Sequence, residues 1–416
     1  MIIEYVAIGN EVLSGRTVNT NAATLSRLLL AHGVHLSATH VFPDDTKVLK
    51  KALKQMMGRL DCLILSGGLG PTGDDVTRSV LSDLFDAPLV YDNDLAFDLK
   101  KRYGKLETLE DQAHILKGSQ IIPNPLGTAV GYILSQQNIT CIALPGVPDQ
   151  MEEMVIRDVI PFLVKKSSKR EREKACFLWG LPEEQVDPFL RDLEKTDPTL
   201  SISICPSYRS LALYFHTRTD SLEEGNRKLL PVIEEVKKRF PLHVFSETSD
   251  RIELALHDAL IKKEKTLCLA ESCTGGEIAS LITHIPGASS YFLGGVVAYS
   301  NALKCTALDV SQKVLNEKGA VSREVVLEML SGILKLTGAD YGIAVSGIAG
   351  PGGGTKEKPV GTVWGAIGKK GEEGFAEQVN LKGARRRDTL INYVSTYLLY
   401  SLWRWICFNR LPFQYE

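Results

Sequence analysis

The chain has no C-x-x-C pair among its eight cysteines, and Cys62, Cys141 and Cys268 lie inside apolar runs. That excludes the usual zinc and dithiol spacings and a disulfide framework. The cysteines read as reduced core residues of a cytoplasmic protein. There is also no excess of charge. A net charge of −2 implies no bulk attraction to nucleic acid or an anionic membrane. The opening Met-Ile-Ile-Glu-Tyr-Val-Ala-Ile-Gly has no basic stretch before its apolar residues, so it reads as a first strand and not a signal peptide. The most apolar stretch, Tyr393 to Phe408, is interrupted by Arg404 and is short for a bilayer. It reads as a final helix packed on a sheet.

What is present is a composition of 44% hydrophobic and 24% charged residues over 416 positions. Such a chain is globular and too long for one ordinary core, so two or three domains are expected. Up to about residue 165, short apolar runs alternate with helical patterns. The strands are expected at Glu4–Ile8, His35–Val41, Asp61–Leu65, Tyr132–Leu134 and Thr140–Leu144. Helices are expected at Asn21–Ala31, Lys47–Met57, Val76–Phe85, Asn93–Tyr103 and Asp149–Ile160. The alternation predicts an α/β fold, a mostly parallel sheet with helices on both faces.

The polar turns of this half concentrate its chemistry. Ser66 to Thr77 reads Ser-Gly-Gly-Leu-Gly-Pro-Thr-Gly-Asp-Asp-Val-Thr. Gly67, Gly68 and Gly70 would let the backbone approach a ligand, with Thr72 beside them, and a helix start suits phosphate. Asp74 and Asp75 would repel phosphate unless a divalent cation stood between them. The alternative is that the aspartates only cap the helix. Lys165 to Lys174 is a charge run that reads as a solvated connector. The stretch from 175 to about 246 reads strand, helix, strand, strand, helix, strand, without the G-x-x-G loop of an RNA-clamping module.

A third region turns on Leu267 to Gly276, Leu-Cys-Leu-Ala-Glu-Ser-Cys-Thr-Gly-Gly. An apolar strand runs into small residues and then a helix over Glu277–Ile285. Free amides at such a turn suit an anion or oxyanion, and Ser272 or Cys273 is a possible nucleophile. The other reading is a glycine-rich helix start. Gly294 to Lys304 gives a second strand, with Tyr299 at its end, Ser300 or Asn301 as N-cap, and Lys304 in the next first helical turn. Tyr341 to Thr355 gives a third, ending in a glycine-rich loop. The three strand ends are expected to converge at one sheet edge, where open α/β sheets bind ligands.

Five ordered motifs carry a family resemblance. Glu-Ser-Cys-Thr-Gly-Gly, Tyr-Ser-Asn-x-x-Lys, Gly-Ala-Val-Ser (319–322), Ser-Gly-Ile-Ala-Gly-Pro and Lys-Pro-Val-Gly-Thr-Val (358–363) resemble the C-terminal domain of the CinA family, itself similar to PncC nicotinamide mononucleotide deamidases. The turns of the first half, with Gly9-Asn10-Glu11, Thr20-Asn21, Asn124-Pro-Leu-Gly-Thr-Ala and Leu144-Pro-Gly-Val-Pro-Asp, resemble the N-terminal domain of the same family, similar to the MoaB and MogA molybdopterin-binding fold. The resemblance implies three parts: a MoaB/MogA-like domain over 1–167, a small KH-like α+β domain over 172–246, and an amidase domain over 250–416.

For the last part the resemblance implies Ser272 as nucleophile; Lys304, if desolvated and neutral, could take its proton, and Tyr299 could relay that proton or orient the amide. Amides of Thr274, Gly275 and Gly276 would hold the oxyanion. Ser346, Gly347 and Gly350 with the following loop would bind phosphate, with Arg385 as a charged anchor. No cofactor is implied there. For the first part it implies an ADP-ribose pyrophosphatase using a divalent metal of the Mg, Mn or Co type, with Glu11, Asp44, Asp74 and Asp75 as ligands. A homodimer is implied, and nucleic acid and membrane are not expected partners. The alternatives are an amidase whose first domain is silent and only dimerises, or a non-enzymatic competence or DNA-damage accessory protein. This chain departs from the family pattern at Asn10, Asn19 and Gln150, where carboxylates are usual, and at Thr389, where a second arginine is usual. Lys382 to Arg387 also reads as a surface charge cluster.

Overall fold

The computed structural model describes residues 1–104, 109–136, 138–207, 210–380 and 386–414. The chain divides into two compact units. One comprises residues 1–173, 199–201 and 216–231, and the other 174–198, 202–215 and 232–416.

The first unit is built on a six-stranded sheet. Its strands are β1 (Ile3–Ile8), β2 (Ala38–Phe42) and β3 (Cys62–Ser66), then, after a small antiparallel pair β4 (Leu89–Tyr91) and β5 (His114–Leu116), β6 (Gln120–Ile122), β7 (Gly131–Gln136) and β8 (Ile139–Leu144). The order is β2-β1-β3-β8-β7-β6, with the first four parallel and the last two antiparallel. The side-chain period of two explains the continuous apolar runs. Ile3, Tyr5 and Ala7 enter the core on one face, and Val6 and Ile8 enter the core on the other. The expected strands and helices are present with shifts of a few residues at their ends. One helix runs further than expected. Pro148–Met154 continues through a π turn, Val155–Val159, into Ile160–Lys166. Pro161 has no N–H to give, and the segment passes through the π turn just before it without ending.

Further along the chain β9 (Arg170–Trp179), β10 (Leu200–Pro206), β11 (Ser210–Thr219) and β12 (Val244–Ser246) form a four-stranded sheet in the order β10-β11-β9-β12. With helices Glu183–Thr196 and Leu222–Arg239 the chain order is strand, helix, strand, strand, helix, strand. The charge run at Lys165 to Lys174 was read as a connector. It instead supplies the end of one helix and the start of β9, where Arg170 donates to the carbonyls of Val164 and Ser167.

The last sheet has strands β13 (Leu267–Glu271), β14 (Phe292–Val297), β15 (Tyr341–Gly347), β16 (Thr362–Lys369) and β17 (Phe375–Asn380), in the order β14-β13-β15-β16-β17. β14, β13 and β15 are parallel, and Glu271 pairs in register with Val297 and Val345, so their C-terminal ends share one edge. Leu267 and Leu269 face the core formed with helices Ile252–Lys263 and Arg387–Phe408. Cys268 and Ala270 face helix Arg323–Thr337. From Tyr393 to Ile406 the final helix is buried at every position but Thr396, which is why that stretch is largely apolar on every side. Among the described residues no helix is long and apolar enough to cross a membrane.

Candidate active site

The turn after β13 is organised by a buried carboxylate. Glu271 is 1% exposed. Its Oε2 accepts from Thr274 Oγ1 at 2.7 Å, Gly276 N at 3.1 Å and Ile278 N at 3.2 Å, and its Oε1 accepts from Ala279 N at 2.8 Å. The carboxylate thus fills the start of helix Glu277–Thr283 from inside, satisfying amides that would otherwise await an anion. This corrects the expected oxyanion hole. Gly276 N–H is spent on Glu271, and Gly275 N–H donates to the Ser272 carbonyl at 3.1 Å. Of the three amides, that of Thr274 is the remaining candidate. Gly275 and Gly276 serve the turn itself, with φ of 66° and 100° that only glycine adopts without strain.

The fixed turn presents Ser272 to Lys304. Ser300 caps the helix Asn301–Leu308, accepting from Leu303 N at 3.1 Å, and so sets Lys304 one turn in. Lys304 is 1% exposed and its Nζ lies 2.9 Å from Ser272 Oγ and 2.7 Å from the Ala298 carbonyl. Neither partner carries charge. Burial pushes the ammonium below the usual lysine range. A neutral amine fits this geometry. As placed, Nζ donates to the carbonyl and to the serine oxygen; a neutral amine at the same position would instead accept from the serine hydroxyl.

Cys273 points elsewhere. It is buried, its thiol is pushed up to about 12 chiefly by burial, and its Sγ packs so close to Gly347 that a Cβ there would lie 3.0 Å away. Buried with a raised pKa, it offers little thiolate near neutrality and is the weaker candidate nucleophile of the two neighbours.

Tyr299 is 62% exposed, and its hydroxyl accepts from Arg387 Nη2 at 3.0 Å. Its bond is therefore to the arginine and not to Ser272 or Lys304, which corrects the expected relay. Arg387 Nη1 also donates to the Gly350 carbonyl at 2.8 Å. One guanidinium ties the glycine-rich loop after β15 to the end of β14. The arginine was read within a surface charge cluster. Its partners lie 88 and 37 residues away in sequence, so only folding reveals them. Arg385, the expected anchor, lies outside the described residues. Ser346 does not face a ligand either. It is buried and donates to the Ala320 carbonyl at 2.7 Å, tying Gly-Ala-Val-Ser to β15. Gly347 has no room for a side chain, since a Cβ would stand 2.7 Å from Val363 Cγ2.

In the first unit a cleft of ≈ 430 Å³ is lined by Glu11, Asp44, Gly67, Gly68, Gly70, Asp74 and Asp75 among others. Gly67 has φ of 107°, and a Cβ there would meet the Ile8 carbonyl at 2.3 Å. Thr72 donates through N and Oγ1 to Asp75 Oδ2 at 3.0 and 2.5 Å. Both residues thus close the loop, and neither aspartate caps the helix, whose N-cap is Val76 without a side-chain bond. Asp44 Oδ2 accepts from Asn10 N at 2.8 Å. Among the described residues no three His, Cys, Asp or Glu side chains converge to hold a metal ion. The expected four ligands share a cleft without forming a built centre.

The amide departures have structural uses. Asn19 accepts from Ala22 N at 3.1 Å as a helix N-cap, a task an aspartate does equally well. Gln150 accepts from Asn124 Nδ2 at 2.9 Å. Gln112, unmarked in the sequence, lines the same cleft while buried, and its Nε2 finds no partner among the described residues.

Residues 4–165 match the family model described as probable molybdopterin binding domain, and residues 249–402 match the CinA C-terminal domain. The chain is 37% identical to the CinA-like protein of Trichodesmium erythraeum over 93% of its own length and 92% of that protein. It is 35% identical to the CinA-like protein of Dictyoglomus thermophilum over 95% and 97%. Among solved structures, a CinA superfamily protein from Klebsiella pneumoniae is 33% identical with a TM-score of 0.36, covering 37% of this chain and 95% of that one. With relatives matched over nearly their whole length and both domain models in order, the chain belongs to the CinA family.

Proposed function

We propose that the Ser272 site hydrolyses the carboxamide of nicotinamide mononucleotide to the carboxylate and ammonia. The observation that carries this is the buried Lys304 Nζ at 2.9 Å from Ser272 Oγ, the arrangement of a serine–lysine acyl-transfer centre. Ser272 gives its proton to neutral Lys304 as Oγ attacks the amide carbon. The C–N bond breaks, and Lys304 returns the proton to the leaving nitrogen, which departs as ammonia. Water then attacks the ester by the same proton path and releases the acid. The test is incubation of the full chain with nicotinamide mononucleotide and separation of the products. Equal yields of nicotinate mononucleotide and ammonia are expected without added metal. No conversion would reject the reading.

Arg387 sits where it would hold the glycine-rich loop for the substrate's phosphate. Arg387→Ala is expected to raise KM about tenfold, the worth of one or two hydrogen bonds to a charged group, while kcat changes less. An unchanged KM would show that the loop is held without it.

For the first-unit cleft the proposal is hydrolysis of ADP-ribose at its pyrophosphate. The glycine loop supplies close backbone approach. Because the carboxylates do not converge, a divalent ion would be completed by the substrate's own phosphates. ADP-ribose turnover is therefore expected only with both metal and substrate present, and direct titration of the protein with magnesium alone should show weak binding. Tight binding of the metal alone would contradict this.

A further inference from the structure

The motifs Gly-Ala-Val-Ser (319–322) and Lys-Pro-Val-Gly-Thr-Val (358–363) take no part in the proton transfers above, yet the fold joins them. Lys358 Nζ donates to the Lys318 carbonyl at 2.6 Å. That carbonyl ends helix Gln312–Lys318, where carbonyls lack donors from their own helix and a cation is favoured. Gly319, the next residue, leaves room for the ammonium, since a Cβ there would stand 3.3 Å from Nζ. We infer that Lys358 is a positioning residue that holds the glycine-rich loop after β15 ready for a phosphate. The site then selects phosphorylated over unphosphorylated nicotinamide ribosides.

The loop is tied at three places. At its base Ile348 N donates to the Thr362 carbonyl and Gly361 N to the Ile348 carbonyl, both at 2.8 Å. On one flank Arg387 Nη1 donates to the Gly350 carbonyl at 2.8 Å. On the other, Thr355 N donates to the Lys358 carbonyl at 2.8 Å and Lys358 N to Thr355 Oγ1 at 3.0 Å. The Lys358 ammonium anchors that small turn to Lys318. Between the two flanks lie Gly352, Gly353 and Gly354. All three are exposed, and their N–H groups make no hydrogen bond among the described residues. Successive free amides in a loop suit phosphate oxygens, and these are open to solvent.

The consequence is selectivity. Glycine loses more conformational freedom on ordering than any other residue. With both flanks fixed on folding, less of that loss falls on binding. The benefit goes only to a ligand with phosphate oxygens to place on the amides. That the ligand is a nicotinamide nucleotide rests on the amidase reading above, whereas the fastening of the loop by Lys358 does not.

The test is calorimetric titration of the full chain carrying Ser272→Ala, so that ligand binds without turnover. The ligands are nicotinamide mononucleotide and nicotinamide riboside, which lacks only the phosphate. Tighter binding of the mononucleotide is expected. Adding Lys358→Met, which keeps the reach of the side chain and removes its donor, should weaken the mononucleotide about fivefold, the worth of one hydrogen bond. The riboside should be unmoved. Lys358→Arg should restore most of the affinity, because a single carbonyl accepts from either cation. No binding of either ligand, equal binding of both, a mononucleotide affinity unmoved by Lys358→Met, or an equal loss for both ligands would overturn the inference. So would a Lys358→Arg chain as weak as Lys358→Met. Turnover by the wild-type chain is scored separately. If nicotinamide mononucleotide is never deamidated, the amidase reading fails, and the titrations still decide the role of Lys358.

Discussion

Ser272→Ala is expected to remove deamidation almost entirely, while Cys273→Ala keeps most of it. The two side chains are neighbours in sequence and opposites in environment. Ser272 Oγ lies 2.9 Å from the only basic group it bonds to in the described structure, Lys304 Nζ. Cys273 is buried against Gly347 with its thiol pushed up to about 12, so it offers almost no thiolate near neutrality. Loss of the nucleophile in a centre that acts as a unit costs about as much as losing the whole unit, of order 10⁴-fold or more in kcat. The check is steady-state ammonia release for both variants, with thermal melts to show that each is folded. A dead Cys273→Ala protein that melts like the wild type would transfer the nucleophile to the thiol. An active Ser272→Ala protein would reject acyl transfer through this serine.

Lys304→Arg is the second large effect. A lysine in water has a pKa of ~10.4 and is protonated near neutrality. Here burial lowers it, and its two bonding partners are an uncharged carbonyl and a hydroxyl. Only the neutral amine can take the serine proton, so the rate should rise with pH along a limb set by Lys304. A guanidinium cannot lose its proton. Lys304→Arg should therefore lower kcat by ~10²–10⁴, the usual contribution of a positioned acid–base group. Lys304→Ala should be comparably slow, and both should lose the acid limb.

The same burial has a stability consequence. Between the lowered native value and the unfolded value of ~10.4, the unfolded chain binds the proton and the native state does not. The Lys304 contribution to stability therefore rises with pH across that window, and it is least favourable below the native value. The measurement is kcat and KM against pH, with denaturant melts over the same range. Near-normal kcat in Lys304→Arg would reduce Lys304 to an electrostatic anchor. The base would then have to be sought elsewhere, and Tyr299, held by Arg387, would need to change partner to serve.

Much of this was legible in the chain itself. Ile3, Tyr5 and Ala7 alternate with Val6 and Ile8, so a run apolar on both faces could only be a strand buried on both sides. Leu267 to Ala270 carries the same message for the last sheet, and Ser300 announces its helix by chemistry that acts within three residues. The motifs around Ser272 and Lys304 are local patterns too. Alternation, capping and turn chemistry involve near neighbours, so they can be read without knowing the fold.

Contacts across the chain decided the rest. Pro161 reads as a helix end, yet packing of Val155, Val159, Ile160 and Leu163 into the core outweighs one lost bond and leaves a π turn instead. The amides at Gly275 and Gly276 look free in sequence. Glu271 and the Ser272 carbonyl take them because the turn closes on itself. Ser346 looks ready for a ligand but is drawn to Ala320, and Arg387 looks solvated but finds Tyr299 and Gly350. The four carboxylates of the first cleft were brought to one place without converging. The sequence determined which segments become strands and helices and which turns carry reactive groups, because those depend on period and neighbours. Only the tertiary structure decided which polar groups remain free, because most donors and acceptors are claimed by whatever folding brings within about 3 Å.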